Sequence, residues 1–279
     1  MNVLDFKIVA DSSADTFAFD GIAFDCAPLK IRTDVNEYVD DGKLDVEKMV
    51  NDLASYKGKS ASSCPSPSDW LRCFGEAKYV FCVTITATLS GSYNSACVAK
   101  KEYEEKYPDR RVYVLNSLTA GGEMRLLVEK ARELAVDGCK FDELCAKMEE
   151  YAKSTSLLFV LESMNNLANN GRVSHLAAKA AGILGIRVVG KASDKGDLEQ
   201  LEKCRGEAKA LSSVVRIMGE MGYVGGKVRI GNCLNAAAAE KVRSALLARY
   251  PSADIEFYQS GGLCSFYEEK GGLMIGFEH

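Results

Sequence analysis

Short apolar runs alternate along this chain with segments whose apolar positions recur at helical spacing. Lys7-Ile8-Val9-Ala10-Asp11 runs into the polar cluster Asp11-Ser12-Ser13-Ala14-Asp15, the pattern of a buried strand that ends without a hairpin turn. Residues 45 to 56 put Val46, Met49, Val50 and Leu53 on one helical face, with Asp45 as N-cap. The run Tyr79 to Ile85 is a second strand, and Tyr93, Ala96, Cys97 and Tyr103 beyond it fall near the helical period. Val112 to Leu115 is a third, followed by the loop Asn116 to Gly122 and by helices over 123–136 and 142–153. From Leu157-Leu158-Phe159-Val160-Leu161 onward the rhythm changes. Strand-like runs at 186–190, 227–231, 254–258 and 272–277 are separated by helices at about 174–184, 206–221 and 236–249. The last helix carries the stripe Ala239, Val242, Leu246 and Tyr250 behind Asn235 as its cap. Residues 60 to 70, SASSCPSPSDW, read as a loop rich in Ser and Pro.

Strand, polar loop and helix in repetition predict an α/β fold, its strands carrying their loops to one ligand-binding edge. Two domains are expected. The first, 1–155, has a mainly parallel sheet flanked by helices, and the second, 156–279, is a smaller α/β domain with a mixed sheet. No Pro- or Gly-rich linker marks the division near 155, so close packing with a cleft between the domains is expected.

A formal charge of −4, a pI of about 5.5 and the lack of any long basic run argue against a nucleic-acid surface. The start of the chain lacks the basic and apolar regions of an export signal, and no stretch approaches a membrane span, so a cytoplasmic protein without stable membrane insertion is expected. Ten cysteines scattered through strands and helices then read as reduced thiols. With two histidines, His175 and His279, and no C-x-x-C, a zinc site and a Ser-His-Asp triad are both improbable, and no cofactor is expected.

The chemistry lies in the polar loops. Ser90-Gly91-Ser92 sits where a strand hands over to a helix, so free N–H groups and the positive end of the helix dipole face it. Gly91 lets a ligand approach the main chain, and Thr88, Ser90 and Ser92 offer hydroxyl donors. Simple helix capping by Ser90 or Ser92 explains the same residues equally well. The loop Ser62-Ser63-Cys64-Pro65-Ser66 is a second donor cluster that would meet the first at a shared sheet edge, or else is only a turn. Asn170-Gly171-Arg172-Val173-Ser174 places an arginine before a helix; taken alone, such an arginine is usually solvated or ion-paired. No P-loop and no dinucleotide-binding glycine motif is present, and the mostly neutral donors suit a carboxylate at least as well as a phosphate chain.

Six or more motifs in order resemble the DegV family. They are Lys7 to Asp15, Pro28-Leu29-Lys30-Ile31, Tyr38-Val39-Asp40, Ser62 to Ser66, Leu89 to Ala96, Asn170 to Ser174 and Arg205-Gly206, spanning nearly the whole chain. The resemblance implies a bacterial two-domain α/β protein that binds one long-chain fatty acid, such as palmitate or stearate, in an apolar tunnel between the domains. It implies further a non-catalytic carrier that presents the acid to a fatty acid kinase. The ligand-binding residues it implies are Ser62 or Ser63 and Ser90 on the carboxylate, beside Gly91, with Arg172 near the head group. Three positions depart from the family's usual residues, namely Ser62, Cys64 and Ser92 where it carries threonine, glutamine and threonine. Tyr267 stands where many members have a histidine associated with the head-group end and with work alongside the kinase. Burying an acyl chain is worth roughly 0.8 kcal/mol per methylene, so a few hydroxyls suffice to orient the head. Two other readings stand beside this one: an acyl or phosphoryl transferase or hydrolase using Ser90 or Cys64, and a carrier of a different amphiphile.

Overall fold

A computed structural model describes residues 5–174 and 185–279. The helix expected over 174–184, with His175 in it, lies outside these residues apart from Ser174. Strands β1 (Phe6–Asp11), β2 (Ala23–Ala27), β6 (Tyr79–Thr84) and β7 (Arg111–Asn116) form a wholly parallel sheet in the order β2-β1-β6-β7. Parallel strands covered on both faces are mostly apolar, which is why Ile8 to Ala10 of β1 and Tyr79 to Val83 of β6 read as apolar runs. Alternate residues go to opposite layers. Ile8, Ala10, Phe81 and Val83 pack on α4 (Gly121–Val136) and α5 (Phe141–Tyr151), whereas Val9, Val80 and Cys82 pack on α2 (Pro67–Phe74) and α3 (Ser92–Lys106).

A separate antiparallel sheet in the order β4-β3-β5 joins β3 (Lys30–Arg32), β4 (Glu37–Val39) and β5 (Ala61–Ser63), with α1 (Val46–Ser55) beside it. Asp45 caps α1 as the sequence predicts, accepting from the Lys48 N–H. Residues 60 to 70 are not simply a loop. They hold β5 and the start of α2, whose Ser66 and Asp69 cap each other's backbone N–H groups around Pro67. A three-residue strand shows no period, and the residues of a capping box are also those of a turn.

The second sheet runs β10-β9-β8-β13-β11-β12 and is mixed, with β11 and β12 parallel and the other neighbours antiparallel. Its strands are β8 (Thr155–Leu161), β9 (Ile186–Ala192), β10 (Leu198–Arg205), β11 (Val228–Asn232), β12 (Ile255–Gln259) and β13 (Leu273–Glu278). Helices α6 (Asn165–Asn169), α7 (Glu207–Glu220), α8 (Ala236–Arg249) and α9 (Gly262–Glu268) complete this half. Asn235 caps α8 through the Ala238 N–H. Neither β10 nor α9 is announced by hydrophobic pattern, since β10 is polar on most positions and α9 is two turns long.

The two domains are packed, not tethered. Helix α4 lies against β13 so closely that a Cβ on Gly122 would stand 2.7 Å from the Gly276 nitrogen, and one on Gly276 2.0 Å from the Glu123 nitrogen. Arg229 on β11, 4% exposed, joins Glu129 of α4 at 2.9 Å. Among the described residues no helix is long and apolar enough to cross a membrane.

Candidate functional site

Between the domains lies a partly enclosed cavity, a common place for a small-molecule site. Its walls are almost wholly apolar, built from Ile85 and Ala120 on one side and Leu157, Phe159, Leu198 and Met274 on the other. Four of the residues singled out by sequence, Ser62, Ser90, Arg172 and Tyr267, also line it. The structure brings these four to one polar end.

Ser62 reaches the cavity from β5, where it pairs with Ile31. Because side chains alternate along a strand, Ser63 is turned to the other face, and it does not line the cavity. The Ser62 Oγ lies 2.7 Å from the Tyr267 hydroxyl on α9. Burial pushes the Tyr267 phenol above its ordinary value, while Ser62 and Arg172 pull the other way, so the ring stays neutral and keeps its proton.

Ser90 lies past the carboxyl end of β6, next to β1, at the point where the strand order of the first sheet reverses and ligand crevices form. Its Oγ accepts from the Ser92 N–H at 3.2 Å and retains its own proton for donation. The N-cap of α3 is Gly91, whose missing side chain leaves no cap hydrogen bond there. A Cβ on Gly91 would sit 3.2 Å from Cys64 Sγ, and Ser95 Oγ donates to the Pro65 carbonyl at 2.6 Å. The serine loops at 62–66 and 90–92 therefore do meet.

Thr88 and Ser92 are not free donors as the sequence suggested. Ser92 is buried and donates to Asp11 Oδ2 at 2.6 Å, and Thr88 donates to the Gly196 carbonyl at 2.7 Å across the domain interface. Asp11, at the end of β1, also accepts from the Ile85 N–H at 2.9 Å, so it fixes the loop that carries Ser90. Sequence reasoning missed this role because Ser92 and Ile85 are distant from Asp11 in the chain.

Arg172 is held rather than solvated. Its Nε donates to the Leu89 carbonyl at 3.1 Å and an Nη to the Asn170 carbonyl, and its guanidinium carbon lies 6.0 Å from the Tyr267 ring centroid. Two of its five N–H groups are thus spent on orientation among the described residues, and its charge stands at the cavity wall. Glu268 and Cys264 also line the wall, a placement with no signal in the sequence. Burial pushes both well above their ordinary values, which disfavours a negative charge beside an anionic head group.

The described residues include one histidine, His279, and its Nε2 lies 2.9 Å from Ser156 Oγ. It does not stand beside Ser90 or Cys64. All ten cysteines are free thiols, with Cys64 exposed and Cys73, Cys82, Cys145, Cys204, Cys233 and Cys264 buried.

Residues 5–278 match the family model described as "Uncharacterised protein, DegV family". A DegV domain-containing protein of Streptococcus pneumoniae is 42% identical over 277 residues, 98% of this chain and 99% of that protein. The structure of the Streptococcus pneumoniae Fatty Acid Kinase (Fak) B3 protein loaded with linoleic acid is similar with a TM-score of 0.96 and 42% identity, over 98% of this chain and 99% of that one. A DegV family protein from Eubacterium eligens loaded with heptadecanoic acid has a TM-score of 0.96 and 41% identity, again over 98% and 99% of the two chains.

Proposed function

The chain belongs to the DegV family, and on that premise we propose that it binds one long-chain fatty acid and presents it to a fatty acid kinase, with no catalysis of its own. The acyl chain occupies the apolar cavity between the domains, which we divide as 1–155 and 156–279. Its carboxylate meets the hydroxyls of Ser62 and Ser90, with Arg172 and Tyr267 beside them and Gly91 keeping the start of α3 open. Ser63, on the far face of β5, is assigned no contact.

The observation that carries this reading is the composition of the cavity, an almost wholly apolar wall with hydroxyls and one oriented arginine gathered at an end. Such a site binds an amphiphile by burial and orients it by a few donors. Two similar proteins, from Streptococcus pneumoniae and Eubacterium eligens, hold linoleic and heptadecanoic acid. The ten free thiols accord with a cytoplasmic setting.

Titration with palmitate and with its methyl ester tests the assignment. The acid is expected to bind at least about tenfold more tightly, because the ester carries no charge for the donors to meet. Equal affinity for both would remove the carboxylate site.

A further inference from the structure

One small sheet grips α9 at both ends. At the C-terminal end, β5 offers Ser62 to the Tyr267 hydroxyl at 2.7 Å. At the N-terminal end, Asp40, the residue after β4, accepts from the Gly262 N–H at 2.7 Å and the Leu263 N–H at 2.9 Å. The Asp40 N–H in turn donates to the Leu29 carbonyl at 3.0 Å, next to β3, which ties the carboxylate to the sheet. Asp15 adds a third contact, accepting from the Gly261 N–H at 2.9 Å. Helix α9 has no side-chain cap of its own, so the N–H groups that any helix start leaves free are taken by carboxylates more than 200 residues away.

This is a costly way to cap a two-turn helix. Asp40 is 1% exposed and Asp15 is 6% exposed, and the second Asp15 oxygen has no hydrogen-bond partner among the described residues. A serine at the helix's own N-cap would satisfy one of these N–H groups with no buried carboxylate. The surrounding backbone is shaped for the grip: a Cβ on Gly261 would lie 2.9 Å from Asp15 Oδ1, and one on Gly262 2.6 Å from Leu44 Cδ2.

We propose that Asp40, assisted by Asp15, is a positioning residue for the head-group site, fixing α9 so that the Tyr267 hydroxyl rests against Ser62. Five residues of helix, about 7.5 Å of rise, separate the clamp from Tyr267. Because the same sheet supplies Asp40 and Ser62, the two anchor points stay in register. A slip of α9 by an ångström breaks the hydroxyl pair. Only the consequence for affinity rests on the fatty-acid reading; the positioning does not.

The test uses ligand-free protein labelled with ¹³C at the tyrosine Cζ, the Tyr267 signal being identified by its loss in Tyr267→Phe. In Asp40→Asn the Tyr267 signal should move in the same direction as in Ser62→Ala, with Tyr223 and Tyr250 unmoved. A folded Asp40→Asn protein with an unchanged Tyr267 signal overturns the proposal. Should that variant fail to fold, Gly261→Ala, which crowds the clamp and keeps both carboxylates, is read by the same signal with the same two outcomes. Affinity then follows: Asp40→Asn should bind palmitate about tenfold more weakly and hexadecanol within about twofold of wild type, and the palmitate loss should vanish in a Tyr267→Phe background. Equal losses for both ligands would make Asp40 merely structural. If wild-type protein takes up no palmitate, the fatty-acid reading falls while the tyrosine signal still decides the positioning.

Discussion

Ser62 Oγ and Tyr267 Oη stand 2.7 Å apart, joining residues 205 positions apart in the chain. Two hydroxyls carry two protons and share one hydrogen bond, so one proton is left to donate into the cavity. The pair thus works as a unit, and Tyr267 supplies it with a neutral donor.

Removing either hydroxyl should weaken fatty acid binding by about 1 to 2 kcal/mol, because the survivor loses the neighbour that orients its proton. Tyr267→Phe combined with Ser62→Ala should lose less than the sum of the two. Calorimetric titration of the four proteins with palmitate checks this, and strictly additive losses would mean that the hydroxyls act separately.

Ser90→Ala should lower affinity by about 1 to 3 kcal/mol with little change in Tm if, as proposed, Ser90 donates to the carboxylate. Ser92→Ala should do the reverse. It strips a donor at 2.6 Å from Asp11, a carboxyl that burial already pushes above its ordinary value, so stability falls first. Thermal melts and titrations of both variants together test the division of labour; a Ser90→Ala protein with wild-type affinity removes that residue from the site.

Arg172 is oriented by the carbonyls of Leu89 and Asn170, which asks for the planar fork of a guanidinium. Arg172→Lys should therefore lose nearly as much affinity for the acid as Arg172→Ala. If lysine restores wild-type binding, charge alone matters there and the orientation does not.

Glu123 offers a pH signature independent of the ligand. Burial pushes its carboxyl up from an ordinary 4.5 to about 7, against hydrogen bonds from Thr119 and Thr155. Between those values the native state holds a proton that the unfolded chain has released, so stability falls as pH rises through the window. Glu123→Gln removes this contribution and should raise stability at pH 8 by up to about 3 kcal/mol, with little effect at pH 4. Asp15, pushed up to about 7 by burial and by Asp40, adds a slope of the same sign that the variant leaves in place. Urea unfolding of both proteins at the two pH values is the measurement, and an equal difference at both would contradict the account.

The parallel sheet was legible because strands covered on both faces are mostly apolar, as Ile8 to Ala10 of β1 and Tyr79 to Val83 of β6 are. Helices α1 and α8 were legible because Asp45 and Asn235 announce their starts. The small sheet was not, since a strand such as β5 is too short to show a period, and its register alone separates Ser62 from Ser63. In the same way only the distant carboxylate of Asp11 distinguishes Ser92, which is spent, from Ser90, which is not. Helix α9 carries Tyr267 and Glu268 to the cavity, yet its start is capped by Asp15 and Asp40 of the other domain, and no local pattern encodes that.

Native mass spectrometry of the purified protein, followed by denaturing extraction and analysis of any lipid released, tests the central claim most directly. The account predicts one long-chain fatty acid per chain, or uptake of one when palmitate is added to stripped protein. A protein that emerges empty and takes up no added fatty acid would contradict it.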